Sequence, residues 1–206
     1  QVEGFFKDQA QNLTVFSKTT TVIDALKRFI TVYGSERSGK VGGQYYDFLK
    51  SLFEGSFEQF KSAYGYEDIY LIDKEGNIVY SVSHQADEGQ NLKTGHLKRS
   101  PLAKCFKKGL TRIVIQDFEP YSASGNRHYA FIAAPVFDQI REDFLVVGSS
   151  KLDVGGQMAG AFGVVAVKIN HQMINTIVQR REGMGKTGET YIVGKLGDRN
   201  TYRTDR

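Results

Sequence analysis

Around Tyr64–Tyr66 the spacing of apolar residues changes period, and that change constrains the fold more than any other feature of the chain. Ahead of it, Val2, Phe6, Leu13, Phe16, Ile23, Leu26, Ile30 and Tyr33 are separated by threes, fours and their sums. That is one stripe of a long amphipathic helix, free of proline and weakened locally by Thr19-Thr20-Thr21. A loop rich in glycine and serine, residues 34–43, leads to a second helix. There Tyr45, Leu49, Leu52, Phe53, Phe60 and Tyr64 share a face, and Gly65 is the stop. Beyond it, "YEDIYLIDKEGNIVYSVS" reads as strand, turn, strand, with Ile69, Leu71 and Ile78, Tyr80 on either side of the turn Asp73–Asn77.

The remainder continues in the same way. Residues 84–98 are a polar loop, and Ser100-Pro101 open a short helix that Gly109 ends. "TRIVIQDFEPY", the turn "SASGN" and "RHYAFIAAPVF" form a second hairpin, whose Pro135 marks a strand end or an edge bulge. Residues 138–160 are an insertion before "AFGVVAVKI", a buried strand, and Asn170 caps a last helix carrying Met173, Ile174, Ile177 and Val178. Hairpin-linked strands with helices to one side predict an antiparallel α+β fold, not a doubly wound parallel sheet.

"GMGKTGET", residues 183–190, matches a dinucleotide fingerprint at Gly183, Gly185 and Gly188, and ends like a phosphate-binding loop at Gly185-Lys186-Thr187. Both motifs need strand, glycine turn, helix in that order, because a helix N-terminus meets the phosphate. Here a helix precedes and a strand follows, and Arg180 stands where the phosphate loop needs its first glycine. The glycines read instead as a hinge. "YIVGKLGD" (191–198) repeats the pattern of "YLIDKEGN" (70–77), so residues 183–206 read as a hinge and the first hairpin of an incomplete second module. The chain divides into a helical segment 1–64, a module 65–182 and that remnant.

The formal net charge of +4 is spread along the 206 residues, apart from Lys98-Arg99 and Lys104–Lys108, which argues against a nucleic-acid surface. One cysteine, Cys105, rules out an internal disulfide and reads as a small buried apolar residue. No apolar run is long enough to span a membrane. His84, His96, His128 and His171 lack metal-ligand spacing, and Asp73-Lys74-Glu75-Gly76-Asn77 lacks the later glutamate of a calcium loop, so neither a metal nor a cofactor is expected.

Taken together, "YEDIYLIDKEGNIVYSV", "DFEPYSASGNRHYAFIAAPVFD", "GVVAVKINHQMINTIV" and "GMGKTGETYIVGKLG" after a long helix resemble the double Cache (PAS-like) extracytoplasmic sensor domain of bacterial chemoreceptors, sensor histidine kinases and cyclases. The resemblance implies a long N-terminal helix packed on a PAS-like antiparallel sheet of about five strands, followed by the start of a second such module. It implies the extracytoplasmic, periplasmic part of an inner-membrane receptor, reached by the membrane only through flanking segments. It implies no catalysis. A small molecule (an amino acid, carboxylate or amine) would bind between the sheet and the loops and short helix of the membrane-distal module. Its effect would pass along the helix, within a homodimer formed through that helix.

The candidate ligand-binding residues are Asp117, Tyr121, Arg127 and Tyr129 around one hairpin, with Tyr70, Ser81 and Ser83 on the other. Arg127 is of the type that clamps a carboxylate bidentately, Asp117 of the type that accepts from an ammonium, and the tyrosines would wall the pocket. Two alternatives stand beside this. One is a ligand-free dimerisation or spacer module whose pocket its own side chains fill. The other is a small hydrolase using Ser122 or Ser124 with His128, although no nucleophile-elbow motif is present.

Overall fold

A computed structural model of the chain describes residues 2–35, 41–138, 160–178, 193–196 and 199–202. The "GMGKTGET" hinge and almost all of the 138–160 insertion lie outside the described residues. The N-terminal stripe is carried by two helices, α1 (Val2–Phe16) and α2 (Thr20–Ser35). The break has a local cause. Serine and threonine hydroxyls compete for backbone groups that a continuous helix would use. Ser17 Oγ donates to the Thr14 carbonyl and Thr19 Oγ1 to the Phe16 carbonyl. Thr19 Oγ1 then accepts from the Val22 N–H at 3.3 Å, which caps α2. Helix α3 (Gln44–Tyr64) ends as its sequence implies, with Gly65 left-handed at φ 73°.

The strands are β1 (Asp68–Asp73), β2 (Ile78–Ser81), β3 (Val114–Tyr121), β4 (Arg127–Val136) and β5 (Gly163–Ile169). They form one antiparallel sheet in the order β2-β1-β5-β4-β3, which places β5 at its centre. Pro135 pairs with Val164 of β5 and lies past Ala133, the last β4 residue in register with β3. Its missing N–H therefore breaks no ladder bond to β3. Helix α4 (Pro101–Gly109) has Ser100 as its cap, the hydroxyl accepting from the Ala103 N–H at 3.1 Å. Helix α5 (His171–Val178) is capped by Asn170, which accepts from Met173 N–H. Strands β6 (Val193–Leu196) and β7 (Arg199–Tyr202) form a separate antiparallel pair. Among the described residues, no helix is long and apolar enough to cross a membrane.

The sheet separates two cores. Ile69, Leu71, Ile132, Val165 and Val167 face the helical layer of α1, α2 and α3. That layer is aromatic: Phe16 stacks on Phe60 with centroids 3.7 Å apart, and Phe29 on Tyr80 at 4.7 Å. Tyr70, Ile72, Phe131, Val164 and Ala166 face the other way, against α4 and the segment leading to it. Cys105 belongs to this second core, with its thiol against the Val114 and Phe131 carbonyls, and burial pushes its pKa up to about 12.

Two glycines test the packing in opposite directions. A Cβ on Gly163 would lie 2.5 Å from the Ile72 carbonyl oxygen and 2.8 Å from Leu26 Cδ2, so Gly163→Ala forces β5 away from β1 and α2. We expect it to destabilise the protein by about 1–3 kcal/mol. Gly55, on the exposed face of α3, has nothing within 4 Å, and Gly55→Ala should stabilise by roughly 0.5–1 kcal/mol. Urea midpoints of the two variants move in opposite directions if the layer packing is as described.

Candidate ligand-binding site

The strand alternation that fills the second core also brings a charge into it. On β5, Lys168 has the parity of Val164 and Ala166, and it is fully buried. The register sets Asp68 of β1 beside it on one side and Phe131 of β4 on the other. Its ammonium lies over the Tyr129 ring at 4.9 Å and 5.9 Å from the Tyr70 and Tyr121 ring centres. Three aromatic faces around one cation are an electrostatically favourable cage. The ammonium donates to Gln85 Oε1 at 3.1 Å and to Ser124 Oγ at 3.3 Å.

The segment between β2 and α4 closes over this face and delivers Asp87. Asp87 Oδ2 accepts from Tyr70 OH at 2.9 Å and from Tyr121 OH at 2.8 Å. Asp68 Oδ1 accepts from the N–H groups of Ile69 and Ser83 at 2.8 and 3.0 Å. The remaining oxygens are left over. Asp68 Oδ2, Asp87 Oδ1 and Ser81 Oγ are buried without a hydrogen-bond partner among the described residues. A buried acceptor in that position is costly unless a donor reaches it.

Burial sets the protonation chemistry. It pushes the Asp68 carboxyl up to about 6, against the opposing pull of Lys168 and of the Ser83 N–H. It pulls the Lys168 ammonium below its ordinary value, while Asp68 and Asp87 hold it up. Tyr70 and Tyr121 are pushed up, first by burial and then by the neighbouring carboxylates, so both phenols stay protonated and donate.

Of the residues expected from sequence, the structure brings Tyr70, Tyr121 and Tyr129 together around Lys168, with Ser81 buried opposite Tyr70 on β2. It leaves Asp117 outside and places Arg127 at the rim, close enough to act on the Lys168 ammonium. Asp117 is exposed at the β3 irregularity and its carboxylate accepts from the Phe118 N–H. Arg127 is exposed, donates to the Ser124 carbonyl at 3.3 Å, lies 5.8 Å from the Tyr129 ring and, as a second cation, helps to lower the Lys168 pKa. Ser83 donates its hydroxyl to the Glu67 carbonyl. Ser122 is exposed, and the Ser124 hydroxyl is engaged by Lys168 and Gln85. Sequence reasoning missed Asp68, Gln85, Asp87 and Lys168, and named Ser124 only as a nucleophile of the hydrolase alternative. Lys168 carried a signal, being the one charged residue in "AFGVVAVKI" and sharing the parity of its inward neighbours.

The fold is shared with a solved sensor domain. The structure matches the sensor domain of the V. cholerae histidine kinase DctB with a TM-score of 0.57 at 18% identity, over 87% of this chain. The chain spans 54% of that domain, about half its length. Lesser likenesses are to the ligand-binding domain of the Campylobacter jejuni chemoreceptor Tlp3 in complex with 4-methylisoleucine, and to that of the Pseudomonas aeruginosa amino acid chemoreceptor PctC in complex with GABA. Their TM-scores are 0.43 and 0.39, their identities 10% and 15%, over 86% and 83% of this chain and 63% and 66% of theirs. No family model matches the sequence, and no curated protein matches it.

The raised carboxyl yields a stability test with a definite sign. Folded Asp68 holds its proton more tightly than unfolded Asp68, whose pKa is near 3.8. The stability it contributes is therefore fully present below that value and is lost as pH rises through about 6. Over this window wild-type protein should lose about 3 kcal/mol relative to Asp68→Asn, with the difference level above it. Urea unfolding at intervals from pH 4 to 7 measures this, and parallel curves for the two proteins would count against the arrangement.

Proposed function

We propose that this chain is the ligand-sensing part of a bacterial signalling receptor, and that the Asp68–Asp87–Lys168 cluster under the β2–α4 segment binds a small molecule bearing an ammonium group. The observation that carries this is the set of orphaned acceptors. Among the described residues Asp68 Oδ2 and Asp87 Oδ1 are buried without a hydrogen-bond partner, close to aromatic faces, and an ammonium is the type of donor that such acceptors take. The acids Asp68, Asp87 and Glu67 also outnumber the cations Lys168 and Arg127 around this point, which favours a cationic ligand group. A zwitterion suits it better than a simple amine, because among the described residues the Lys168 ammonium makes two of its three available hydrogen bonds, which leaves a donor for a carboxylate. The fold shared with a histidine kinase sensor domain supports the sensing role by analogy. On this reading the domain is non-enzymatic and lies outside the cytoplasm. It works as a homodimer through its N-terminal helices, and β6–β7 opens a second module.

One observation favours the spacer alternative. Lys168 itself occupies the aromatic cage, as a side chain filling its own pocket would. A thermal-shift screen against amino acids, amines and dicarboxylates separates the two. A zwitterion at 100 times its dissociation constant adds about 2.7 kcal/mol, which for a chain of this size raises Tm by roughly 5–10 °C. The shift should vanish in Asp87→Asn and in Lys168→Met. A broad panel without any shift would favour the spacer, and a shift retained in both variants would place the ligand elsewhere.

A further inference from the structure

The segment that closes the site touches both faces of the fold through consecutive residues. Gln85 and Asp87 point inward, to Lys168 and Ser124 and to Tyr70 and Tyr121. Glu88 and Gly89 point outward, toward the helices. Glu88 Oε1 accepts from Tyr46 OH of α3 at 2.7 Å and from the Ser81 N–H at 2.9 Å. The same carboxylate lies 2.9 and 3.0 Å from His84 Nδ1, and His84 Nε2 lies 3.7 Å from Glu54 of α3. The Gly89 carbonyl accepts from Tyr33 OH of α2 at 3.4 Å.

The backbone there is specialised for a tight excursion. His84 is left-handed at φ 45° and Gly89 at φ 77°, so a reversal brackets the segment at each end. A Cβ on Gly89 would come within 3.0 Å of Val41, in the chain between α2 and α3. The Gly89 N–H donates to the Ile78 carbonyl, which pins the far end to β2.

We propose that Gln85–Gly89 is a two-sided latch that transmits the state of the ligand site to α3 and the end of α2. The proposal rests on reading the Asp68–Asp87–Lys168 cluster as a ligand site. Asp87 and Glu88 are separated by one peptide unit, which is planar and stiff. Any ligand group that competes with Tyr70 and Tyr121 for Asp87 shifts that unit, and the shift re-aims the Glu88 carboxylate. Glu88 cannot move alone, because three donors from β2, α3 and the segment itself converge on it. The bistable element is the latch, closed as seen here or released from one side.

The test needs no ligand, so it is independent of the thermal-shift screen. Asp87→Asn keeps the shape and removes the inward charge. The pair Tyr70→Phe with Tyr121→Phe leaves Asp87 in place and removes its two donors, and serves if the first variant folds poorly. Hydrogen exchange is read on each protein. The latch predicts that amides of residues 82–91 and of the first half of α3 exchange about tenfold faster, while β4 and β5 stay within about twofold. It also predicts that the α3 response to Asp87→Asn disappears in a Tyr46→Phe background, since the outward tie is already cut. Faster exchange in 82–91 with α3 unchanged overturns the proposal, because the segment then moves without pulling the helix. A uniform rise over the sheet and all helices overturns it as well, because that is global destabilisation. A failed ligand screen with the α3 response intact would sink the ligand reading and leave the mechanical coupling standing.

Discussion

A lysine on the central strand of a sheet covered on both faces has no route to water. Lys168 is in that position, with β1 and β4 on either side of β5, helices behind it and α4 with its leading segment in front. A bare buried ammonium is prohibitively unstable, so the surrounding chain has to answer it. The answer comes from five places: Asp68 from the neighbouring strand, three tyrosine faces from β1, β3 and β4, Ser124 from the β3–β4 turn, and Gln85 and Asp87 from the segment before α4. The polar loop is held closed because it carries counter-groups for that charge.

The answer overshoots. Asp68 and Asp87 face the Lys168 ammonium, and among the described residues each of these carboxylates engages only one of its oxygens. In a core selected for stability alone, an apolar replacement of such a cluster is often neutral or favourable. Surplus acceptors beside a cation are the feature on which the proposed ligand site rests. The same surplus explains the elevated Asp68 carboxyl: Lys168 is near, but not as a direct hydrogen-bond partner, and desolvation prevails.

The fold was largely legible because its signals are local. Gly65, Ser100-Pro101 and Asn170 mark boundaries through their own backbone chemistry, and β1, β2, β4 and β5 show in runs of apolar residues. The division between α1 and α2 was half legible. Thr19 to Thr21 announced weak propensity, but the cap on Val22 depends on hydroxyl geometry that spacing does not encode. The site was legible in its aromatics and not in its charges. Tyr70, Tyr121 and Tyr129 sit on strands whose alternation can be read. Asp87 lies in an aperiodic polar loop, where an inward carboxylate looks like any solvated one. Asp117 and Arg127 are polar residues near a hairpin end, and an irregularity between Gln116 and Glu119 leaves Asp117 outside. Only strand order and register, which pairing at long range decides, put Asp68 beside Lys168.

On the proposed reading, that long-range origin bears on how the site changes its ligand while the fold is kept. The hydrophobic register of β5 is set by Val165, Val167 and Ile169 against the helices, so position 168 faces the second core whatever residue occupies it. The cage walls belong to other strands and are held by their own packing, with Tyr121 edge-on to Phe131 at 5.1 Å. The counter-charge arrives on a loop, where substitutions disturb neither ladder nor helix. Separate parts of the chain therefore control separate properties: β5 the sign of the central charge, β1, β3 and β4 the aromatic enclosure, and Asp68 of β1 with the 82–95 segment the balancing carboxylates. On the proposed reading, exchanging the charge on β5 or the acid on the loop alters which ligand group is welcome, while the helical layer stays packed as it is.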